Sequence, residues 1–107
     1  MTTLVTFSTV SEAASVSPYS QTIRGSDQKA SWTFSWNQGG ANAVRFNPGD
    51  GAGSRLWDSR NSKGYSQVYY TYSTNERLTS YRPSFSAVKL SDGTAETASA
   101  YVEHRLP

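Results

Sequence analysis

The sequence predicts an all-β chain, an antiparallel β-sandwich with a closed or partly open β-barrel as the alternative, built from seven to nine short strands. The first observation is the run Ala30-Ser31-Trp32-Thr33-Phe34-Ser35-Trp36, in which every even position is apolar and every odd one carries a small hydroxyl. Strand side chains alternate with period 2, so Trp32, Phe34 and Trp36 share one face and Ser31, Thr33 and Ser35 the other. The second is the recurrence of turn signals at roughly 8–12-residue spacing, as in sandwiches and barrels. The third is composition: 29 Ser and Thr, 7 Tyr, 4 Phe and 3 Trp in 107 residues favour strands and turns over helices.

Taken in order, Leu4 to Val10 is β-branched and aromatic and reads as a strand, followed by a helical turn or loop over Ser11 to Ser15. Val16 to Arg24 is a strand with Pro18 near its start, suited to an edge because proline donates no ladder hydrogen bond. Gly25-Ser26-Asp27 turns the chain into the aromatic strand Ala30 to Trp36, and Asn37 to Asn42 turns it out again. Ala43 to Phe46 is a short strand. Asn47-Pro48-Gly49-Asp50-Gly51-Ala52-Gly53 is the strongest breaker in the chain. Ser54 to Asp58 is a brief strand and Ser59 to Gly64 a loop.

Tyr65 to Ser73 is a strand with Val68, Tyr70 and Tyr72 on one face and Tyr65, Gln67, Tyr69 and Thr71 on the other. Leu78 to Arg82 and Ser84 to Leu90 flank Pro83. Asp92-Gly93 signals a hairpin with a type I′ turn, which needs positive φ at both central residues. Ala95 to Leu106 completes the chain as one long strand with Ala98, Ala100, Val102 and Leu106 inward.

Size indicates one domain over residues 1–107, near the modal domain length. A hydrophobic fraction of 36 % is low, and large aromatic side chains must supply the missing buried area. Net charge is +2, with seven Arg dispersed along the chain; duplex binders show denser basic runs, so nucleic acid is not indicated. No window is long and apolar enough for a membrane span. The first residues show no basic leader or signal-length apolar core, so the expected location is cytoplasmic, or secreted with a signal already removed. Cysteine is absent, which removes disulfides, thiolate zinc sites and thiol nucleophiles.

Catalytic signals are sparse, and no enzyme, cofactor or metal is expected. His104 is the only histidine and reads as a surface residue of the last strand. The carboxylates Glu12, Asp27, Asp50, Asp58, Glu76, Asp92, Glu96 and Glu103 show no facing pair. Asp50 to Ser54 with Asp58 offers oxygens but lacks the spacing of an EF-hand loop.

Two aromatic–polar corners are the expected ligand sites, because a sugar ring offers an apolar face to Trp while its hydroxyls need fixed polar partners. One comprises Trp36, Asn37, Gln38 and Asn42; the other comprises Trp57, Asp58, Arg60 and Asn61. Trp36 ends its strand and is placed either to cap the core or to line a rim, and one of Leu56 and Trp57 should point outward. Tyr65, Tyr69, Arg77, Tyr81 and Arg82 form an expected interface of the residue types enriched where proteins meet.

The run Trp36-Asn37-Gln38-Gly39-Gly40 resembles the Trp-Asn-x-Gly-Gly element of cyanobacterial high-mannose-binding lectins. The likeness covers five of 107 residues, without the repeats and other motifs of those lectins, so it implies no residue roles. The leading expectation is a non-catalytic, lectin-like binding module whose partner is a glycan or a protein surface. The second is a self-assembling coat, capsid or fibre subunit forming a homo-oligomer, and the third a small secreted toxin or inhibitor.

Overall fold

In a computed structural model, which describes Val10–Ser11 and residues 14–107, the chain is an all-β sandwich without barrel closure. Most of the expected strand from Leu4 to Val10, and the carboxylate of Glu12, lie outside the described residues. Among the described residues there are eleven strands: β1 Val10–Ser11, β2 Ser15–Ser17, β3 Ser20–Arg24, β4 Asp27–Ser35, β5 Asn42–Asn47, β6 Arg55–Asn61, β7 Tyr65–Ser73, β8 Leu78–Tyr81, β9 Ser84–Lys89, β10 Ala95–Ser99 and β11 Tyr101–Arg105.

The count exceeds nine because two expected strands are each divided. Pro18 and Tyr19 carry the chain from β2 in one sheet to β3 in another. Ala100 separates β10 from β11, and the span once expected to be loop after Asp58 instead continues β6 to Asn61.

One long bent hairpin organises the larger layer. β10 pairs antiparallel with β9 and β11 with β8, and the register is continuous from Ala95↔Val88 to Arg105↔Leu78. The ladder bends at Arg82–Pro83, opposite Ala100, whose N–H still donates to the Pro83 carbonyl at 2.9 Å. Proline's missing N–H is therefore placed where the pairing is already interrupted. Facing residues keep their parity through the bend: Tyr81, Pro83, Phe85 and Ala87 are all buried.

β5 and β6 extend this layer beyond β9, in the order β1-β10-β9-β5-β6, and β3 lies beside β11. The sheets are not purely antiparallel, because β1 and β3 run parallel to β10 and β11. Both are early strands that reach their partners only after the rest of the chain has crossed over, which parallel pairing requires. The smaller layer is β2-β4-β7, antiparallel throughout.

The core is a lattice of rings between the layers. Trp32 of β4 meets Phe46 of β5 at 5.4 Å and Phe85 of β9 at 5.3 Å between centroids. Phe34 stacks on Phe85 at 5.5 Å, and Tyr72 stacks on Tyr81 at 4.2 Å. Aromatic pairs at these separations add to the large area each ring buries.

Two local expectations are revised. The β9–β10 connection is a hairpin, but only Gly93 has positive φ (79°) and Asp92 does not, so the two-residue type I′ turn is replaced by a longer loop. Lys89 N–H donates to the Thr94 carbonyl and Gly93 N–H to the Lys89 carbonyl, both at 2.7 Å. The Asp92 carboxylate accepts the Thr94 N–H and hydroxyl, which hold its pKa below the usual range.

His104 is the other revision. It is wholly buried on the inner face of β11, where its Nε2–H donates to the Gly25 carbonyl and its ring lies 6.2 Å from Tyr81. Val102 and His104 share a parity, so the face that buries valine also buries the histidine.

Burial of Tyr72, and secondarily the negative charge of Asp50, push its phenol well above the ordinary value of 10.0. Its hydroxyl donates to the Pro48 carbonyl at 2.7 Å. The folded state thus keeps a proton that the unfolded chain releases near pH 10, so this contribution is intact below pH 10 and declines above it. In an alkaline titration followed at the phenolate band, Tyr72 should ionise only as near-UV circular dichroism is lost. Ionisation of all seven tyrosines with a native near-UV spectrum would contradict this packing.

Candidate functional site

The Trp36 corner is a structural clamp. Trp36 is 5 % exposed, with its ring 5.4 Å from Phe34 and its backbone N–H donating to the Gly64 carbonyl. This corrects its expected role as a ligand wall: at the end of β4 it keeps the inward parity of Trp32 and Phe34 and caps the core. Asn42 is also fully buried, on the inner side of β5 opposite Asn61.

The turn after Trp36 is held by Glu96, a buried carboxylate of β10. Its two oxygens accept the N–H groups of Asn37 at 2.9 Å and Gln38 at 2.6 Å. The Gln38 side-chain amide donates to Asn42 Oδ1 at 2.6 Å and to the carbonyls of Ala87 and Thr94 at 3.0 and 3.1 Å. Its carbonyl oxygen accepts the Thr94 hydroxyl, and Asn42 Nδ2 donates to the Gly40 carbonyl. The amides that suggested sugar recognition are thus engaged in joining the β4–β5 turn to the β9–β10 hairpin. A buried carboxylate requires such donors.

The Trp57 corner divides. Leu56 points outward and Trp57 is half-buried, with its ring 6.0 Å from Phe46 and its Nε1–H donating to the Gln67 carbonyl at 3.0 Å. Asn61 is buried, donating to the Tyr65 carbonyl at 3.0 Å and accepting the Lys63 N–H at 2.8 Å, so it too belongs to the scaffold. Asp58 accepts the Arg60 N–H and the Asn61 amide, and the Arg60 side chain is exposed.

Of the expected interface, Tyr65 and Tyr69 are 46 % and 56 % exposed on the outer face of β7. Tyr81 is buried by its stack with Tyr72 and leaves this group. Its phenol is pushed up, chiefly by burial. Arg82 lies over the Tyr101 ring at 5.0 Å, and Arg77 is exposed. These arginines flank β8, away from the smaller layer that carries Tyr65 and Tyr69.

What remains is an aromatic strip. Tyr69 meets Trp57 edge to face at 5.1 Å, and Lys29 of β4 extends over its ring at 5.4 Å. Tyr65 lies on the same face, with Gln67 between them accepting the Thr33 hydroxyl at 3.1 Å. Ser31, opposite Tyr69, and Ser35, opposite Tyr65, continue the hydroxyl-rich surface across β4.

The glycine-rich loop after β5 is anchored. Asp50 caps the Ala52 N–H and accepts the Tyr70 hydroxyl, a bond that heads the causes raising the Tyr70 pKa. Gly49 has φ +79°, and a Cβ there would come within 2.7 Å of the Arg82 carbonyl oxygen. Asp50 and Asp58 serve separate local turns, and among the described residues no cluster of His, Cys, Asp or Glu is arranged to hold a metal. No helix among them is long and apolar enough to cross a membrane.

Comparison with protein-family models, curated proteins and solved structures returns no match to this chain.

The clamp yields a direct expectation. Glu96→Gln puts an NH₂ against one of two backbone donors and should lower stability by about 1.5–3 kcal/mol, the usual range for charge-assisted bonds. Urea unfolding measures this, and hydrogen exchange at Asn37 and Gln38 should accelerate. Unchanged stability with both amides still protected would show that the clamp does not hold the turn.

Proposed function

We propose that this protein is a non-catalytic carbohydrate-binding module that lays an extended, hydroxylated chain along the outer face of β7. The observation that carries the reading is Tyr69, an outward ring held between Trp57 and Lys29. A ring fixed before binding loses little side-chain freedom when a sugar stacks on it. Tyr65, four residues earlier on the same face, provides a second platform about 13 Å away at strand rise. Between and beside them, Gln67, Ser31, Thr33 and Ser35 offer groups that both donate and accept, as sugar hydroxyls do.

The dimensions favour a slender ligand over a second copy of the chain. The β4–β7 face measures about 30 Å by 10 Å, giving about 300 Å², against about 800 Å² per partner in a standard protein interface. Strand edges are also poorly suited to pairing. Trp57 and Asn61 side chains cover the Gln67 and Tyr65 carbonyls on the open side of β7, β6 carries register shifts, and β2 is three residues long. Natural sheets use such features to prevent edge-to-edge association.

Adsorption to insoluble polysaccharides, together with a glycan array, tests the reading. Tyr69→Ala and Tyr65→Ala should each weaken binding by roughly tenfold, about 1.4 kcal/mol, while leaving the unfolding midpoint nearly unchanged. Absence of binding across the panel, or variants that bind like the parent, would overturn it.

A further inference from the structure

Arginines that are dispersed in the sequence meet on one sheet face. In the sheet β3-β11-β8, Ile23, Val102, His104 and Tyr81 are buried, so the alternate positions point outward. The parallel register sets Arg105 of β11 beside Arg24 of β3, and the antiparallel one sets it beside Leu78 of β8. Glu103 occupies the next outward row, between Thr22 and Ser80. Tyr101 lies beside Ser20, with Arg82 over its ring at 5.0 Å. Arg77, immediately before β8, is tied to the Arg105 end by its carbonyl, which accepts the Leu106 N–H at 3.0 Å.

The positive charge of the chain is concentrated here. These four arginines against Glu76 and Glu103 leave +2, which is the formal net charge of the whole chain. The other basic and acidic residues balance, six of each from totals of ten and eight. Like charges on neighbouring strands repel, so placing Arg24 beside Arg105 lowers stability unless an anion joins them. Arg105 Nε donates to Glu103 at 2.5 Å, while Arg24 makes no ion pair or side-chain hydrogen bond among the described residues. Glu12 is the one carboxylate outside them, and Ser11 before it pairs with Glu96, nine residues short of Arg105.

Two guanidinium forks side by side fit the oxygens of a carboxylate or sulfate. About 13 Å along β11, the Arg82 guanidinium rests on Tyr101, whose hydroxyl is 3.2 Å from Ser80 Oγ. That arrangement is a second anchor fixed before binding. Glu103, between the two anchors, repels an anion, so the face suits a chain charged at intervals. A nucleic-acid strand carries a phosphate on every residue, and one would fall against Glu103. Its bases would need open rings to stack on, and Tyr101 already carries Arg82. Ser20, Thr22 and Ser80 instead present hydroxyls that donate and accept as sugar hydroxyls do.

We infer that this face is a second binding surface, taking an acidic polysaccharide charged on alternate sugars. The choice of a glycan rests on the carbohydrate reading above, but the residues lie on the opposite layer, so the two fail separately.

Isothermal titration of the full chain over a range of salt concentrations tests the inference. The probes are hyaluronan oligosaccharides, with a carboxylate on every second sugar, oligogalacturonate, with one on every sugar, and oligothymidylate. Hyaluronan should bind most tightly, and more weakly as salt rises. Arg24→Gln and Arg82→Gln should each reduce that affinity roughly tenfold. The unfolding midpoint of Arg24→Gln should be unchanged or raised, because a repulsion is relieved. Arg60→Gln, which removes the same charge from β6, and Tyr69→Ala should leave hyaluronan affinity unchanged. Glu103→Gln should narrow its margin over oligogalacturonate.

Absence of salt-dependent hyaluronan binding, or binding indifferent to Arg24 and Arg82, would overturn the inference. So would an equal loss in Arg60→Gln, or tighter binding of oligogalacturonate or oligothymidylate. In each of those cases adsorption to neutral polymer that depends on Tyr69 leaves the module reading standing. If no polysaccharide of either kind binds, both fail.

Discussion

The fold depends on the contact of aromatic rings across its two layers. Trp32 and Phe34 extend from β4 into Phe46 and Phe85, one on each of two neighbouring strands of the opposite sheet. In a chain this poor in aliphatic residues, a few rings must supply most of the buried apolar area. Trp32 and Phe34 sit on a strand whose other face is Ser31, Thr33 and Ser35, and Phe46 on one whose other face carries Arg45 and Asn47, so the sheets turn polar side chains outward. Removing any of these rings opens a cavity between sheets that cannot easily collapse, because both are constrained by their ladders.

That arrangement determines where function can reside. A tryptophan at the end of β4 follows the parity of its strand and enters the core, and the polar residues after it are drawn into fixing the corner. Glu96 and Gln38 do for the β4–β5 turn what a disulfide does in a small secreted domain, linking it to a distant hairpin without cysteine. Outward positions of β7 and β4 are left with hydroxyl side chains and the exposed rings of Tyr65 and Tyr69. Trp57 joins the two regimes: its ring leans on Phe46, its indole N–H closes the edge of β7, and its other contact steadies Tyr69.

Much of the fold was legible because period-2 alternation is a local signal. The span Tyr65 to Ser73 matches its strand end to end, with Tyr65 and Tyr69 on the outer face. Tyr81 was misread because its burial depends on Tyr72, brought in from another strand, whereas His104 shares the inward parity of Val102 and its burial was legible within its own strand. The Trp36 corner looked like a site for a related reason: amides beside an indole serve a buried carboxylate as readily as a sugar, and Glu96 lies 58 residues from Gln38. Pro18 reads in sequence as lying near the start of one strand, whereas it and Tyr19 mark a change of sheet, which depends on the partners that β2 and β3 find elsewhere.

The indole at the end of the aromatic strand belongs to the core, while the rings of Tyr65 and Tyr69 stay outward. Oxidation of the folded protein by N-bromosuccinimide, mapped by mass spectrometry, tests it on all three tryptophans at once. The account predicts that Trp57 is modified first and that Trp32 and Trp36 are protected together until the protein unfolds. Modification of Trp36 at the rate of Trp57 in the native state would contradict it.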